Sequence, residues 1–189
     1  MEYYSPLNLS EALSILKKWR GKACLVAGGT NVVPDRRANA IRPHVLIDIS
    51  RLKQLSFIKE EKKRVRIGGL TTIAEIAASE IVRKYGSPLS EAADQLGNPL
   101  VRNRATIAGN LANASPAADT AVPLLALDAT VITSRSDGTS RPVSIDRFFL
   151  GPNKTVLRKD EMIREIVAEE IASNRHNAKD RIMDKNIFL

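Results

Sequence analysis

Two glycine-bearing segments, each predicted to be a turn, carry the residue types that could hold a phosphate group. The first runs from Leu25 to Asn31 and contains Gly28 and Gly29, and the second, about eighty residues later, spans 106–110 and contains Gly109. Each places backbone without a side chain beside small hydroxyl or amide side chains, so that a diphosphate can lie against peptide N–H groups. The pair therefore predicts one extended, phosphate-bearing ligand that is held from both sides.

Neither segment matches a common nucleotide-binding fingerprint. No Gly-Lys-Ser/Thr follows Gly29, and no Gly-x-Gly-x-x-Gly occurs in the chain, which disfavours a Walker A loop and a Rossmann nicotinamide site. Each segment also has a purely structural interpretation. A Gly-Gly pair often marks only a tight bend, Asn110 could close a turn, and Asp119 could simply cap the helix that follows it.

The second segment continues into a run of small residues from Ala105 to Ala118. So little side-chain volume leaves room for another backbone or for a flat ligand. Asp119, just beyond the run, is placed to accept hydrogen bonds from ligand hydroxyl groups.

Side chains that could perform catalysis are scarce. Cys24 is the only cysteine, and the two histidines, His44 and His176, lie far apart in the sequence. This composition offers no ligand set for an iron–sulfur cluster or structural zinc, and no Ser/His/Asp arrangement. We predict no catalytic residue and no metal ligand, so redox chemistry here would require an organic cofactor such as a flavin.

The charge balance is basic, with a formal net charge of +8 over 189 residues. The positive groups are scattered, and only four Phe, three Tyr and one Trp are present to stack on bases, which disfavours nucleic acid as a partner. No apolar run approaches the roughly 20 residues of a membrane span. The N-terminus lacks the pattern of a signal peptide, so a cytoplasmic protein is expected.

Hydrophobic periodicity predicts an α/β beginning followed by mixed, hairpin-rich structure. A helix over 9–20, capped by Ser10, is followed by buried strands over 23–27 and 45–49, and this order favours parallel pairing. The later elements are expected to be hairpins at 55–67 and 131–145, and helices from Thr71 or Thr72 to 85, over 89–96 and over 121–127. We expect a first lobe of residues 1–50, a second lobe of 51–167 and a charged tail of 168–189.

The motifs taken together are more specific than either segment alone. The stretches 27–31, 67–72 and 106–119 resemble, in this order, the FAD-binding (medium) subunit of molybdenum hydroxylases, the family of xanthine dehydrogenase and carbon monoxide dehydrogenase. The resemblance extends to Phe148 through Pro152 and covers roughly residues 3–166. It implies an α+β fold of the p-cresol methylhydroxylase type, with FAD held between two lobes.

The resemblance also implies the site residues and the partners. The cofactor-binding residues would be Leu25, Val26, Ala27, Gly28, Gly29, Thr30, Asn31, Val32, Leu96, Thr106, Ile107, Ala108, Gly109, Asn110, Asp119 and Ile163. In such enzymes electrons pass from iron–sulfur clusters on one partner chain, which receive them from a molybdopterin subunit, through FAD to NAD or another acceptor.

One departure from the family pattern keeps alternatives open. The family usually continues into a C-terminal domain, whereas this sequence reaches Leu189 with a charged segment that does not resemble the start of that domain. A stand-alone flavin reductase of the same fold, an inactive truncated remnant and a basic interaction module remain alternative interpretations.

Overall fold

The computed structural model of the chain describes residues 1–116 and 118–169. Seven α-helices in these residues are α1 (Leu9–Lys18), α2 (Val32–Arg37), α3 (Ile73–Ala78), α4 (Glu80–Gln95), α5 (Pro99–Arg102), α6 (Ile107–Asn113) and α7 (Ala121–Ala126). Ten strands in the same residues are β1 (Glu2–Tyr4), β2 (Ala23–Val26), β3 (Val45–Asp48), β4 (Ile58–Glu61), β5 (Arg64–Gly68), β6 (Thr130–Arg135), β7 (Ser140–Ser144), β8 (Phe149–Gly151), β9 (Lys154–Thr155) and β10 (Glu161–Glu169). The α+β class predicted from the sequence is therefore confirmed.

The first sheet lies entirely within the first fifty residues. Its order is β1-β3-β2, and β3 pairs in parallel with both neighbours. The predicted parallel pairing of β2 with β3 is confirmed, whereas β1 was not predicted because three residues are too short to show a period. Helix α1 covers this sheet with Ala12, Leu13 and Leu16, which pack against Val45 and Ile47 in one buried cluster.

Helix α1 begins at Leu9, as predicted, but its N-cap differs from the predicted one. Its N-cap is Asn8, whose Oδ1 accepts a hydrogen bond of 2.9 Å from the N–H of Glu11. The proposed cap, Ser10, lies inside the helix and is exposed. The prediction was wrong because Asn and Ser are about equally good N-caps, and the sequence offers both within three residues.

The second sheet is antiparallel and contains five strands in the order β4-β5-β10-β6-β7. Both predicted hairpins are present, as β4–β5 and β6–β7. Strand β10 lies in the centre, and its pairing with β5 extends to Glu169. The strand therefore reaches two residues into the predicted charged tail of 168–189, and the rest of that tail lies outside the described residues.

The predicted helix from Thr72 to residue 85 is interrupted. Ser79 is extended (φ −76°, ψ 121°), ends α3, and caps α4 by accepting a hydrogen bond from the N–H of Val82. The predicted break at Gly86 appears as a kink within α4, where Gly86 has the non-helical angles φ −148° and ψ 51°. The helices after β5 pack on one face of the second sheet around a large cluster that includes Ile67, Ile107 and Phe148.

The two sheets share part of their core. Leu52, Leu55, Leu70 and Met162 belong to the same buried cluster as the first sheet and α1. Near this cluster, buried Asp160 accepts a hydrogen bond of 2.8 Å from Arg135, and Arg20, at the end of α1, lies 3.5 Å from the same carboxylate. The chain beyond residue 50 is thus packed directly against the first fifty residues.

Candidate functional site

The first glycine segment is a connection between β2 and α2. Gly28 and Gly29 follow the end of β2, and Gly29 has φ +75°, which glycine adopts without steric cost. Val26 and Val33 flank Gly29, since a Cβ built there would lie 3.6 Å from Val26 Cγ1 and 3.3 Å from Val33 Cγ2. The left-handed conformation of Gly29 therefore lets the chain turn between β2 and α2.

Backbone N–H groups in this bend lack acceptors. No N–H of residues 28–32 donates a hydrogen bond to any other group in the described part of the chain, although the carbonyl groups of Gly29 and Asn31 accept from Val33 and Asp35. Residues 28–30 are half-buried and Asn31 is exposed. Because these residues are at most half-buried, water can satisfy their N–H groups in the free protein, and five consecutive donors without a protein acceptor remain available to an anionic ligand.

The second glycine segment is the start of a helix rather than a turn. Thr106 is the N-cap of α6, and its Oγ1 accepts from the N–H of Gly109 at 3.1 Å. The prediction of a turn was wrong because Thr106 and the alanines around Gly109 favour a capped helix, while the single glycine suggested a bend. Helix α6 ends at Ala114, which has a left-handed conformation with φ 47°.

Most donors of this second segment are already used. The N–H groups of Ile107 and Ala108 donate to the carbonyls of Thr71 and Gly69 at 3.1 and 3.0 Å, and that of Asn110 donates to the carbonyl of Thr106 at 2.9 Å. Among the described residues, the N–H of Thr106 has no acceptor. The two segments therefore differ. The first has backbone donors without acceptors among the described residues, whereas most donors of the second are already bonded within the protein.

The glycine pair at 68–69 allows close packing against the second segment. A Cβ on Gly69 would lie 2.8 Å from the carbonyl oxygen of Ile163 and 3.2 Å from the Cβ of Ala108. Thr72 pairs with Thr106 in an antiparallel bridge and caps α3, with Glu75 completing a capping box. The motif at 67–72 thus fixes the start of α6 and is not itself an open site.

Gly28 brings the two segments together. A Cβ on Gly28 would lie 1.8 Å from the carbonyl oxygen of Arg104 and 3.1 Å from the Cα of Ala105, directly before Thr106. Such distances are possible only because Gly28 has no side chain. The bend of the first sheet and the N-terminal end of α6 consequently lie side by side, as two walls of one site must.

Gly109 leaves the surface of α6 open. A Cβ at this position would contact only Thr106 Oγ1, at 3.0 Å, so packing within the described residues does not require a glycine. Next to it, the side chain of Asn110 is held by Thr120, whose hydroxyl donates to Asn110 Oδ1 at 2.5 Å. The absence of a side chain at Gly109 is explained if a ligand lies there.

The remaining candidate residues lie partly near the proposed site and partly in the two hydrophobic cores. Asp119 is exposed and adjoins Thr120, close to the site, whereas Leu96 and Ile163 are 7% and 5% exposed and belong to the core of the second sheet. Leu25 and Ala27 contact the first core, Val32 is half-buried, and Ile107 and Ala108 are buried. The cofactor-contact role given to each of these residues remains a prediction.

Electrostatics at the junction couple Arg104 to a carboxylate of the first sheet. The charge of Arg104 acts on Asp48, at the end of β3. Burial acts to raise the pKa of Asp48, but hydrogen bonds from Tyr3 and Ser50, together with Arg104, hold that pKa below its usual value. Asp48 therefore stays ionised and engaged, with Tyr3 donating to it at 2.6 Å.

The only cysteine is unsuited to nucleophilic chemistry. Burial, with a contribution from Asp35, raises the pKa of the Cys24 thiol, which keeps it protonated. Within the described ranges, no group of three or more His, Cys, Asp or Glu side chains could hold a metal ion. Among the described residues, the two glycine segments therefore present backbone donors and an open surface rather than a nucleophile or a metal site.

Among the described helices, none has both the length and the apolar character that spanning a membrane requires.

Comparisons with known proteins place these features in context. Residues 1–168 match the family model described as the FAD binding domain in molybdopterin dehydrogenase. The chain is 34% identical over 172 residues to a nicotinate dehydrogenase FAD-subunit from Eubacterium barkeri, covering 89% of the chain and 58% of that relative. It is also 34% identical over 184 residues to the carbon monoxide dehydrogenase medium chain of Hydrogenophaga pseudoflava, covering 97% and 64%.

Solved structures agree with the sequence matches. The chain superposes on carbon monoxide dehydrogenase from Hydrogenophaga pseudoflava with a TM-score of 0.88 and 35% identity, covering 92% of the chain and 60% of that protein's chain. Quinoline 2-oxidoreductase from Pseudomonas putida 86 gives a TM-score of 0.86 at 25% identity. The chain thus spans about three fifths of the length of the relatives it matches.

Proposed function

Because the chain belongs to the family of FAD-binding domains in molybdopterin dehydrogenases, we propose that it holds FAD between its two lobes as part of a molybdenum-containing hydroxylase or dehydrogenase. FAD is the cofactor of this family, in agreement with the cofactor predicted from the sequence. The observation that carries the proposal is the contact of Gly28 with the backbone of Arg104 and Ala105, which joins the unbonded N–H groups of 28–32 to the open surface at Gly109.

The residues present fit a dinucleotide. The N–H groups of residues 28–32 would hold the diphosphate, because they are consecutive donors without acceptors among the described residues. Thr106 and Asn110 would contact it from the second lobe, Gly109 would allow its close approach, and Asp119 would accept from a hydroxyl group. When bound, FAD supplies an isoalloxazine ring that exchanges electrons; the side chains described here bind and orient it.

The proposal extends to the complex in which the chain would act. Partners would be an iron–sulfur subunit and a molybdopterin subunit, and the electrons would leave the cofactor for NAD or another acceptor. Support comes from the relatives, which are named as the FAD-subunit of a nicotinate dehydrogenase and the medium chain of a carbon monoxide dehydrogenase. We further propose that the fold is of the p-cresol methylhydroxylase type, that the two lobes divide at residue 50, and that the protein is cytoplasmic.

Titration of the recombinant 189-residue protein with FAD tests the proposal. The wild-type chain is expected to quench flavin fluorescence saturably and to become yellow. Gly109→Asp should abolish this uptake, because it adds a carboxylate where we place the diphosphate. Ala112→Asp is the matched control, since Ala112 is exposed on the same helix and the substitution adds the same charge. A colourless wild-type protein that ignores FAD, or equal binding by both variants, would contradict the proposal.

A further inference from the structure

Thr120 occupies a position where its side chain would normally stabilise a helix, but it does not do so here. It is the N-cap of α7, and no hydrogen bond runs from its side chain to the first turn of that helix. Threonine at an N-cap usually accepts from the backbone there. In this chain the hydroxyl is instead fully buried, with no exposed surface, and donates to Asn110 Oδ1 at 2.5 Å.

This contact determines which atom of the Asn110 side chain is available. The backbone N–H of Asn110 is satisfied by the carbonyl of Thr106. Because Oδ1 accepts from Thr120, the amide cannot rotate freely, and its Nδ2 group remains as a donor with no partner in the described residues. Asn110 is half-buried and adjoins Gly109, whose open surface forms part of the proposed site.

We infer that Thr120 is a positioning residue, which orients the Asn110 amide so that Nδ2 donates to the bound dinucleotide. The inference rests on the proposed function, since it concerns how that same site recognises FAD. Thr120 itself is buried beneath Asn110 and would not contact the ligand. Its hydroxyl lowers the cost of binding by holding the Asn110 donor in place before the ligand arrives, which is the usual benefit of preorganisation.

Paired substitutions in the full 189-residue chain test this inference. Thr120→Val preserves the shape of the side chain but removes the hydroxyl, and is expected to weaken FAD binding about fivefold, the effect of one hydrogen bond. Thr120→Ser retains the hydroxyl and should bind FAD like the wild type. Urea unfolding of each protein without FAD separates a loss of stability from a loss of affinity.

A double-mutant cycle distinguishes positioning from a general structural role. In an Asn110→Ala background, Thr120→Val should cause no further loss of FAD affinity, because the group it orients has been removed. An undiminished effect in that background, or normal FAD binding by Thr120→Val, would overturn the inference while leaving the proposed function standing. Failure of the wild-type chain to bind FAD would instead overturn the proposed function.

A second measurement applies even if Thr120→Val does not fold. In ¹⁵N-labelled wild-type protein, the side-chain NH₂ resonances of Asn110, assigned with Asn110→Ala, should shift when FAD is added. Asn8 is exposed at the N-cap of α1 and is not among the proposed contacts, and Asn8→Ala provides the corresponding assignment control. Unchanged Asn110 resonances at saturating FAD would overturn the inference.

Discussion

At the scale of single residues, the glycines of this chain have different tasks. Gly28 allows two backbones to touch, Gly29 allows a left-handed bend, Gly69 allows α6 to approach β10, and Gly109 leaves open space. Sequence identified all of them as unusual, but it could not separate these tasks. The difference depends on which backbone lies opposite each glycine, and that is decided by contacts between distant parts of the chain.

Replacement of Gly28 and Gly109 by alanine should therefore affect the stability of the protein very differently. Gly28→Ala places a Cβ 1.8 Å from a backbone oxygen, so the two segments must separate, and we expect a loss of about 3 kcal/mol in the free energy of unfolding. Gly109→Ala should change that free energy by less than about 1 kcal/mol, because alanine favours helix and meets only Thr106 Oγ1.

Urea unfolding without FAD checks this pair of substitutions. Both variants should bind FAD more weakly, Gly28→Ala through the fold and Gly109→Ala through the site alone. Equal stability of the two variants would mean that the contact between Gly28 and the backbone of Arg104 does not exist in solution.

At the scale of elements, the sequence predicted the types of the longer segments and failed at their ends and interruptions. The α1 and α7 helices, the β2 and β3 strands and both hairpins of the second sheet were predicted because each has a clear period or turn. The break at Ser79 was missed because Ser79 serves α3 and α4 at once, and no glycine or proline marks it. Strand β10 was missed because its sequence does not alternate polar and apolar residues, as a strand in the centre of a sheet need not do.

The N-terminus of α1 gives an element-scale prediction. Asn8→Ala removes the side-chain oxygen that accepts from Glu11, and should cost about 1 kcal/mol in the free energy of unfolding. Ser10→Ala is the matched control, because Ser10 is exposed within the helix and should cost nothing or add slightly to stability. Chemical denaturation measures both, and a larger loss for Ser10→Ala would show that the helix begins at the residue that the sequence first suggested.

At the scale of the whole molecule, the proposed site depends on the two sheets being held together through a shared core. Sequence identified the two glycine segments because their residue types are visible locally, and their common ligand remains a prediction. It could not predict that the donors of the second segment are already bonded to Gly69 and Thr71, because these bonds depend on how β5 and α3 approach α6. The revised site is asymmetric, with free donors on the first lobe and a rigid surface on the second.

The junction between the lobes should be sensitive to acid. A hydrogen bond from Arg135, aided by the charge of Arg20, holds the pKa of Asp160 below its ordinary value. Since this pKa is lower in the folded than in the unfolded chain, the resulting stabilisation is complete above about pH 4 and is lost as the pH falls through the folded value. Asp160→Asn should thus be less stable than the wild type at pH 7, and the difference should shrink below about pH 4.

Urea midpoints from pH 7 to pH 3 measure this effect. Asp94→Asn, at an exposed position on α4, is the matched control and should not show the same convergence with the wild type. A difference between Asp160→Asn and the wild type that is independent of pH would contradict the assigned role of the Asp160 carboxylate.

Amide hydrogen exchange with and without FAD shows whether both glycine segments enclose one diphosphate. The N–H groups of residues 28–32, which have no acceptor among the described residues, are expected to exchange rapidly in the free protein and to slow by about tenfold or more with FAD. The N–H of Thr106 should become protected at the same FAD concentration. Protection confined to one segment, or none in either while FAD is bound, would contradict the account.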